Sequence, residues 1–395
     1  MSADHDTIEA EVESFIDEFS YEDLADEDLV AAKRLLKDNL AVSVGLSVLP
    51  WSEAADGYAR EQEQSGPSTV AAHGRSVDPE TAAFLNGTFA HGLEYDDAHG
   101  PSDGHPGSVV TSTALAVGEA VDATFYDVLA AQVVGYEVYT ELGAAGSPDL
   151  IARGWHPHAV LGSFGGAATA AYLWDLDRAE IRHALAIAAS HASGLTEYSS
   201  TGGSVKRTHA GIGARNGITA VRMAKNGITG PRRYLTGNKG FFSTFIEKRE
   251  IDPVEFGTPG EMAVHEAWLK QYACCGCTHA YIDCVEEIDP DPTDIESVTA
   301  RIQPKSNSIV GTENENLYEP TNIEEAQFNL PFEVALAIRG HGNGFPAHRR
   351  IIAGDFALDD SELRETMERI ELEPDPELGR SEEHTSELQS HAPIS

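Results

Sequence analysis

Residues Ala159–Tyr172 read AVLGSFGGAATAAY, fourteen positions without a charged side chain. A segment that is apolar on every side is a buried helix rather than a surface one. Its alanine and glycine content suits helices packed closely together deep in a domain. Working outward, small-residue segments of the same texture lie at about 108–120, 125–142 and 178–193, and the quoted one extends over about 160–174. Glycine-rich connectors separate them near Gly100–Gly107, Gly143–Gly154 and Gly202–Gly203. Toward the N-terminus, Leu29, Ala32, Leu36 and Leu40 fall at helical spacing, with Asp26 placed as the N-cap. The texture changes after Asp252. Pro253, Pro259, Pro290, Pro292 and Pro304 interrupt the pattern. Ile295, Val298, Ala300 and Ile302 read as a strand, Ile370 and Leu372 as another, and a helix is predicted near 324–339. The fold class is therefore mostly α, with a helical domain over 1–261 and a smaller α+β domain over 262–379.

The last sixteen residues, RSEEHTSELQSHAPIS, carry neither helical nor strand period. They resemble a translated sequencing adapter, so 380–395 is expected to be a non-native tail and the natural coding sequence to end or break near Gly379.

Composition excludes several functions. The chain has 395 residues and a formal net charge of −38, from 65 acidic and 27 basic residues. Nucleic-acid phosphates need a basic footprint, and anionic membrane surfaces need one too. No apolar run reaches the roughly 18 residues of a membrane span, and no secretory leader is visible at the acidic N-terminus. The four cysteines, Cys274, Cys275, Cys277 and Cys284, cluster too tightly for a disulfide framework. A soluble cytoplasmic protein from a salt-adapted source is expected.

Against that acidity, Tyr198–Ile246 contains no Asp or Glu, yet holds Lys206, Arg207, Arg215, Arg222, Lys225, Arg232, Arg233 and Lys239. This is either a covered helical hairpin or a site for an anion, since a carboxylate needs a local positive field to approach such a molecule. A second feature is His91-Gly-Leu-Glu94-Tyr-Asp96-Asp97-Ala-His99, followed by His105. Alternating carboxylates and imidazoles suit acid/base chemistry or a hard divalent metal, or form a polar helix end with a solvated loop. His156 stands just before the quoted helix, where an anion is drawn to a helix N-terminus. Lys270 to His279 includes Cys274, Cys275 and Cys277, but lacks the second ligand pair of a structural zinc site and reads as a buried helix start.

These blocks resemble the MmgE/PrpD family in order: LNGTFAHGLEYDDAH, GWHPHAVLGSFGGAA, GGSVKRTHAG, GITGPRRYLTGNKGFF, and Lys270 to His279. That family contains 2-methylcitrate dehydratases, cis-aconitate decarboxylases and some epimerases of related acids. The resemblance implies a large all-helical domain, a smaller α+β lid domain, a homodimer, and a site between the domains without an iron–sulfur cluster; no cofactor and no metal are expected. Carried over, it puts Glu94, Asp97, His105, His156 and Lys206 in catalytic positions; Lys206, Arg207, His209, Lys270 and Cys275 are expected to bind the substrate. Glu94 stands where the family usually has Asp, and Cys275 where the decarboxylases have histidine. These departures favour dehydration or isomerisation of a small polycarboxylate over decarboxylation. A cis-aconitate-type decarboxylase and a non-catalytic anion-binding paralogue are the alternatives.

The charge makes a test available. Stability should rise between low and molar potassium chloride, because the Debye length shrinks to about 3 Å and the acidic surface stops repelling itself. A melting temperature that stays flat or falls over that range contradicts salt adaptation.

Overall fold

A computed structural model describes residues 7–378, apart from 63, 64, 148 and 253. The expected tail, 380–395, lies outside the described residues. The chain divides into two compact units. Among the described residues, the first comprises 7–92, 96–196 and 205–269, and the second 93–95, 197–204 and 270–378. The fold is mostly α, with two small two-stranded sheets among the described residues.

The first unit begins with α1 (Ile8–Glu18), α2 (Asp26–Leu46) and α3 (Pro50–Glu61). A short antiparallel hairpin follows, β1 (Ser68–Val70) with β2 (Arg75–Val77). Then come α4 (Pro79–Ala90), α5 (Pro106–Val121), α6 (Phe125–Gly146) and the single turn α7 (Asp149–Ala152). The quoted stretch lies in α8 (Pro157–Leu173), which precedes α9 (Arg178–His191). After α10 (Tyr198–Thr201), a turn of the second unit, the chain returns as α11 (His209–Lys225) and α12 (Phe241–Phe245).

Local chemistry sets these ends. Thr124 and Asp127 form a reciprocal capping box on α6, and Asp177 and Glu180 do the same on α9. Asp78 caps α4, and Pro79 occupies its first position, where no backbone donor is needed. The expected cap at Asp26 is corrected by one residue. Ala25 is the N-cap, and the Asp28 carboxylate accepts its N–H at 2.8 Å. Asp28 is the better placed because it also accepts the Gly260 N–H and meets His265.

Helix α8 runs through the middle of the unit, with every residue from Pro157 to Ala171 buried. It packs on α11 backbone to backbone. A Cβ added at Gly217 would lie 2.4 Å from the Ala167 nitrogen and 2.5 Å from the Gly166 carbonyl carbon. One added at Gly213 would lie 3.0 Å from the Gly162 Cα. Glycine at these positions is what lets the two helices approach so closely. Successive contacts, 162 with 213 and 166 with 217, show that the helices run parallel. Their N-termini therefore lie together.

The second unit contains α13 (Gly276–Ile288), β3 (Val298–Ile302), α14 (Pro304–Val310), α15 (Ile323–Gln327), α16 (Leu330–Ile338), α17 (Phe345–Ile352), α18 (Ser361–Met367) and β4 (Ile370–Pro374). β3 and β4 pair in parallel, Val298 opposite Ile370 and Ile302 opposite Pro374. Phe332, Leu330, Ile302, Leu363 and Met367 lie in its core. Two expectations change here. The strand begins at Val298 rather than Ile295. The helix near 324–339 is two helices, broken where Asn329 turns extended and its side chain caps α16 by accepting the Phe332 N–H.

Candidate active site

In the first unit, three sequence-distant segments bring their histidines together. The first is the loop after α4. His91 ends that helix, and Asp96, Asp97 and His105 follow before α5. The second is the start of α8, with His156 as N-cap and His158 in the first turn. The third is the short 3-10 turn Ser204–Thr208, carrying Lys206 and Arg207, which leads into His209, the first residue of α11. Ring centroids lie 4.5 Å apart for His91 and His158, 5.3 Å for His91 and His105, 5.6 Å for His156 and His158, and 4.9 Å for His156 and His209.

Hydrogen bonds fix most of these groups. Asp96 meets His91 Nδ1 at 2.8 Å and accepts the Ser108 hydroxyl at 2.8 Å. His158 lies between the Tyr139 hydroxyl, 2.9 Å from Nδ1, and Ser108 Oγ, 3.2 Å from Nε2. Asp97 turns inward. Its carboxylate accepts the Gly107 N–H at 3.0 Å and the Tyr136 hydroxyl at 2.9 Å, which seats the loop on the first turn of α5. That turn presents His105. The Nδ1 of His105 lies 2.8 Å from the Asp97 carbonyl, and a carbonyl can only accept. His105 therefore carries its proton on Nδ1, and in the neutral ring Nε2 holds the lone pair. Its side chain is 15% exposed, whereas those of His91 and Asp96 are fully buried.

Lys206 and Arg207 are both fully buried. Burying an ammonium costs several kcal/mol unless its surroundings compensate. Its field is felt by the imidazoles. Burial and then the Lys206 charge push His209 down to about 4. The same two causes, with neighbouring histidines, hold His91 well below its ordinary value. Arg207 lies over the Trp51 ring at 5.1 Å. His156 and His209 are joined by a 2.7 Å contact between their Nδ1 atoms.

His91, Asp96 and His158 are close enough for their ligand atoms to lie within 4.8 Å of one another. The hydrogen bonds through Ser108 and Tyr139 account for that closeness, and the Lys206 charge opposes a divalent ion there. The Asp96, Asp97 and His99 grouping considered from sequence does not assemble as one set. His99 turns to Ser102 and Glu266 instead.

The remaining sequence-chosen residues belong to the second unit. Glu94, in a left-handed conformation (φ 56°), pairs with Lys270 at 3.2 Å, both buried. Cys275 is the N-cap of α13, and its N–H donates to the Gln327 carbonyl. The Gln327 amide donates to the Leu93 and Ala273 carbonyls, tying the Leu93–Tyr95 excursion to the residues before α13. His279 is pushed down to about 3, by burial and then by Lys270. Sequence reasoning did not single out His158, Ser108 or Tyr139. The only available signal was the position of His158, two residues beyond His156.

A mostly helical fold built around a histidine–carboxylate cluster with a buried lysine defines the class. Residues 10–254 match the MmgE/PrpD N-terminal domain and residues 272–392 the C-terminal domain. The chain belongs to the MmgE/PrpD family. It is 30% identical over 302 residues to the cis-aconitate decarboxylase-like protein oryM of Aspergillus oryzae, covering 71% of this chain and 61% of that protein. It is 29% identical over 295 residues to a cis-aconitate decarboxylase of Aspergillus terreus, covering 71% and 60%. It is 26% identical over 379 residues to the human cis-aconitate decarboxylase, covering 90% and 74%. The matches thus take in about 60% of the length of the Aspergillus proteins, and they support a lyase-type family.

The buried histidines make folding pH-dependent. His209 is near 4 when folded, against an ordinary histidine value of 6.5. Between those two values the unfolded chain binds a proton that the folded one refuses. Stability is fully present above 6.5 and is lost as pH falls toward 4, by up to about 3 kcal/mol from this residue. Urea titrations should therefore show wild type losing up to about 3 kcal/mol of stability relative to His209→Gln between pH 7 and pH 4. Equal losses in the two proteins contradict a neutral buried His209.

Proposed function

We propose that the protein is a metal-independent lyase that removes water from, or adds it to, a small polycarboxylic acid such as 2-methylcitrate. The observation that carries this reading is Lys206, a fully buried cation beside imidazoles that its charge helps to keep neutral. A cation held among these imidazoles can receive a substrate carboxylate, and the molecule's net charge of −38 leaves few places where one is welcome.

Dehydration needs a base for the proton next to a carboxylate, an acid for the departing hydroxyl, and a cation to stabilise the charge that builds up. His105 suits the base, because its Nδ1 faces the Asp97 carbonyl and its Nε2 holds the lone pair. When protonated it has the Asp96 carboxylate 3.9 Å away. His156 is the acid, Lys206 the cation, and Asp97 the group that orients the loop. The C–H proton passes to His105 Nε2, the electron pair forms the alkene, and the hydroxyl leaves as water with a proton from His156.

A second reading, decarboxylation of cis-aconitate, is favoured by the names of the relatives. Incubating the protein with 2-methylcitrate, citrate and cis-aconitate separates the two. Dehydration gives an alkene without carbon dioxide, and decarboxylation releases carbon dioxide.

Lys206→Ala should fold and lose about 10²-fold or more in kcat/KM, because a desolvated charge contact is removed from the transition state. Excess chelator should change nothing. Normal turnover by Lys206→Ala, or activity lost to chelator and restored by a divalent ion, rejects the proposal.

A further inference from the structure

We infer that His158 is a positioning residue for His105, acting through Tyr139 and Ser108. This rests on the lyase reading above, in which His105 takes the proton from carbon. His158 is fully buried in the first turn of α8. Its ring joins two hydroxyls, and each of them also meets the backbone of His105. On one side the Tyr139 hydroxyl, 2.9 Å from His158 Nδ1, accepts the His105 N–H at 3.2 Å. On the other the Ser108 hydroxyl, 3.2 Å from His158 Nε2, lies 3.1 Å from the His105 carbonyl and 2.8 Å from the Asp96 carboxylate. Tyr139 stands on α6, Ser108 on α5 and His158 on α8, so three helices close a ring of hydrogen bonds around one residue. Gly104 leaves room for it, since a Cβ there would run into the Tyr139 hydroxyl.

Donor bookkeeping gives the ring a direction. A serine hydroxyl carries one hydrogen. The Asp96 carboxylate and the His105 carbonyl only accept, so that hydrogen goes to one of them, and Asp96 is the nearer. Whichever oxygen takes it, none is left for His158, and His158 Nε2 must donate to Ser108 Oγ. The neutral His158 ring then has its lone pair on Nδ1, where the Tyr139 hydroxyl donates to it. The Tyr139 oxygen in turn accepts the His105 N–H. Each hydroxyl and the imidazole thus give one hydrogen and receive one.

The chain that begins at the His105 N–H ends on Asp96. The Oδ2 of Asp96 meets both Ser108 Oγ and His91 Nδ1 at 2.8 Å, and its Oδ1 lies 3.9 Å from His105 Nδ1. The same network therefore fixes the backbone of the base and the carboxylate that meets its charge once it is protonated. Small displacements of a reacting nitrogen are costly in rate, which is what such a support prevents.

The test compares His158→Leu with His158→Gln. In His158→Gln the amide oxygen can accept from Tyr139 and the amide N–H can donate to Ser108, whereas His158→Leu offers neither. His158→Leu should lose on the order of 10- to 10²-fold in kcat with KM changed less than about threefold, and His158→Gln should restore kcat to within about threefold of wild type. Nitrogen-15 NMR reads the arrangement without turnover, and in wild type without a variant. Near neutral pH the wild type should carry the His158 proton on Nε2 and the His105 proton on Nδ1. The His105 ring should divide between its two tautomers in His158→Leu and stay protonated on Nδ1 in His158→Gln. Unchanged kcat in His158→Leu, a loss confined to KM, equal losses in the two variants, or a wild-type His158 protonated on Nδ1 and bare at Nε2 overturns the inference. If the wild type converts no polycarboxylate, the lyase reading fails, and the tautomers of His158 and His105 still decide whether one ring holds the other.

Discussion

The close approach of α8 to α11 is the constraint on which the site depends. Two parallel helices meet through Gly162 and Gly166 on one side and Gly213 and Gly217 on the other. Because they run parallel, the N-cap of one and the first residue of the other come together, and those residues are His156 and His209. The turn before α11 carries Lys206 to the same place. Larger side chains at the glycines would separate the helices and, with them, the two imidazoles. The packing of the core and the geometry of the site are thus one arrangement.

Electrostatics narrows the meaning of the acid-free segment. Its charges do not act together. Arg222 pairs with Glu80, Arg215 lies over Phe84, and Lys225 lies over Trp174. Such contacts let cationic side chains cover the apolar surface of α11. Lys206 is the one whose charge lowers the affinity of neighbouring imidazoles for protons. The long positive stretch seen in sequence therefore contains a structural helix face and, in Lys206, a cation whose charge reaches the histidines.

Much of the helical architecture was legible because its segments are long and apolar with small residues. Predictions over 108–120, 125–142 and 178–193 correspond to α5, α6 and α9; the starts of α6 and α9 coincide, set by the caps Thr124 and Asp177, and α5 begins two residues earlier, at Pro106. Finer features were hidden. The break between α15 and α16 depends on the backbone of Asn329, which an apolar pattern does not reveal. The three residues Leu93–Tyr95 belong with the second unit through Gln327, more than two hundred positions later in the chain, and no local signal marks such a bond. At the site, the motifs pointed to His105, His156, Lys206 and His209, whereas the inward turn of Asp97 onto Tyr136 required the fold.

If the helix contact is responsible for the imidazole pair, a crystal structure of Gly217→Ala measures this directly. The added methyl would meet the Ala167 nitrogen at 2.4 Å, and a backbone atom cannot swing aside as a flexible side chain does. The predicted result is a shift of α11 away from α8 that takes His156 Nδ1 and His209 Nδ1 from 2.7 Å to beyond hydrogen-bond reach. An unchanged distance between the two nitrogens, with the helices displaced, would contradict it.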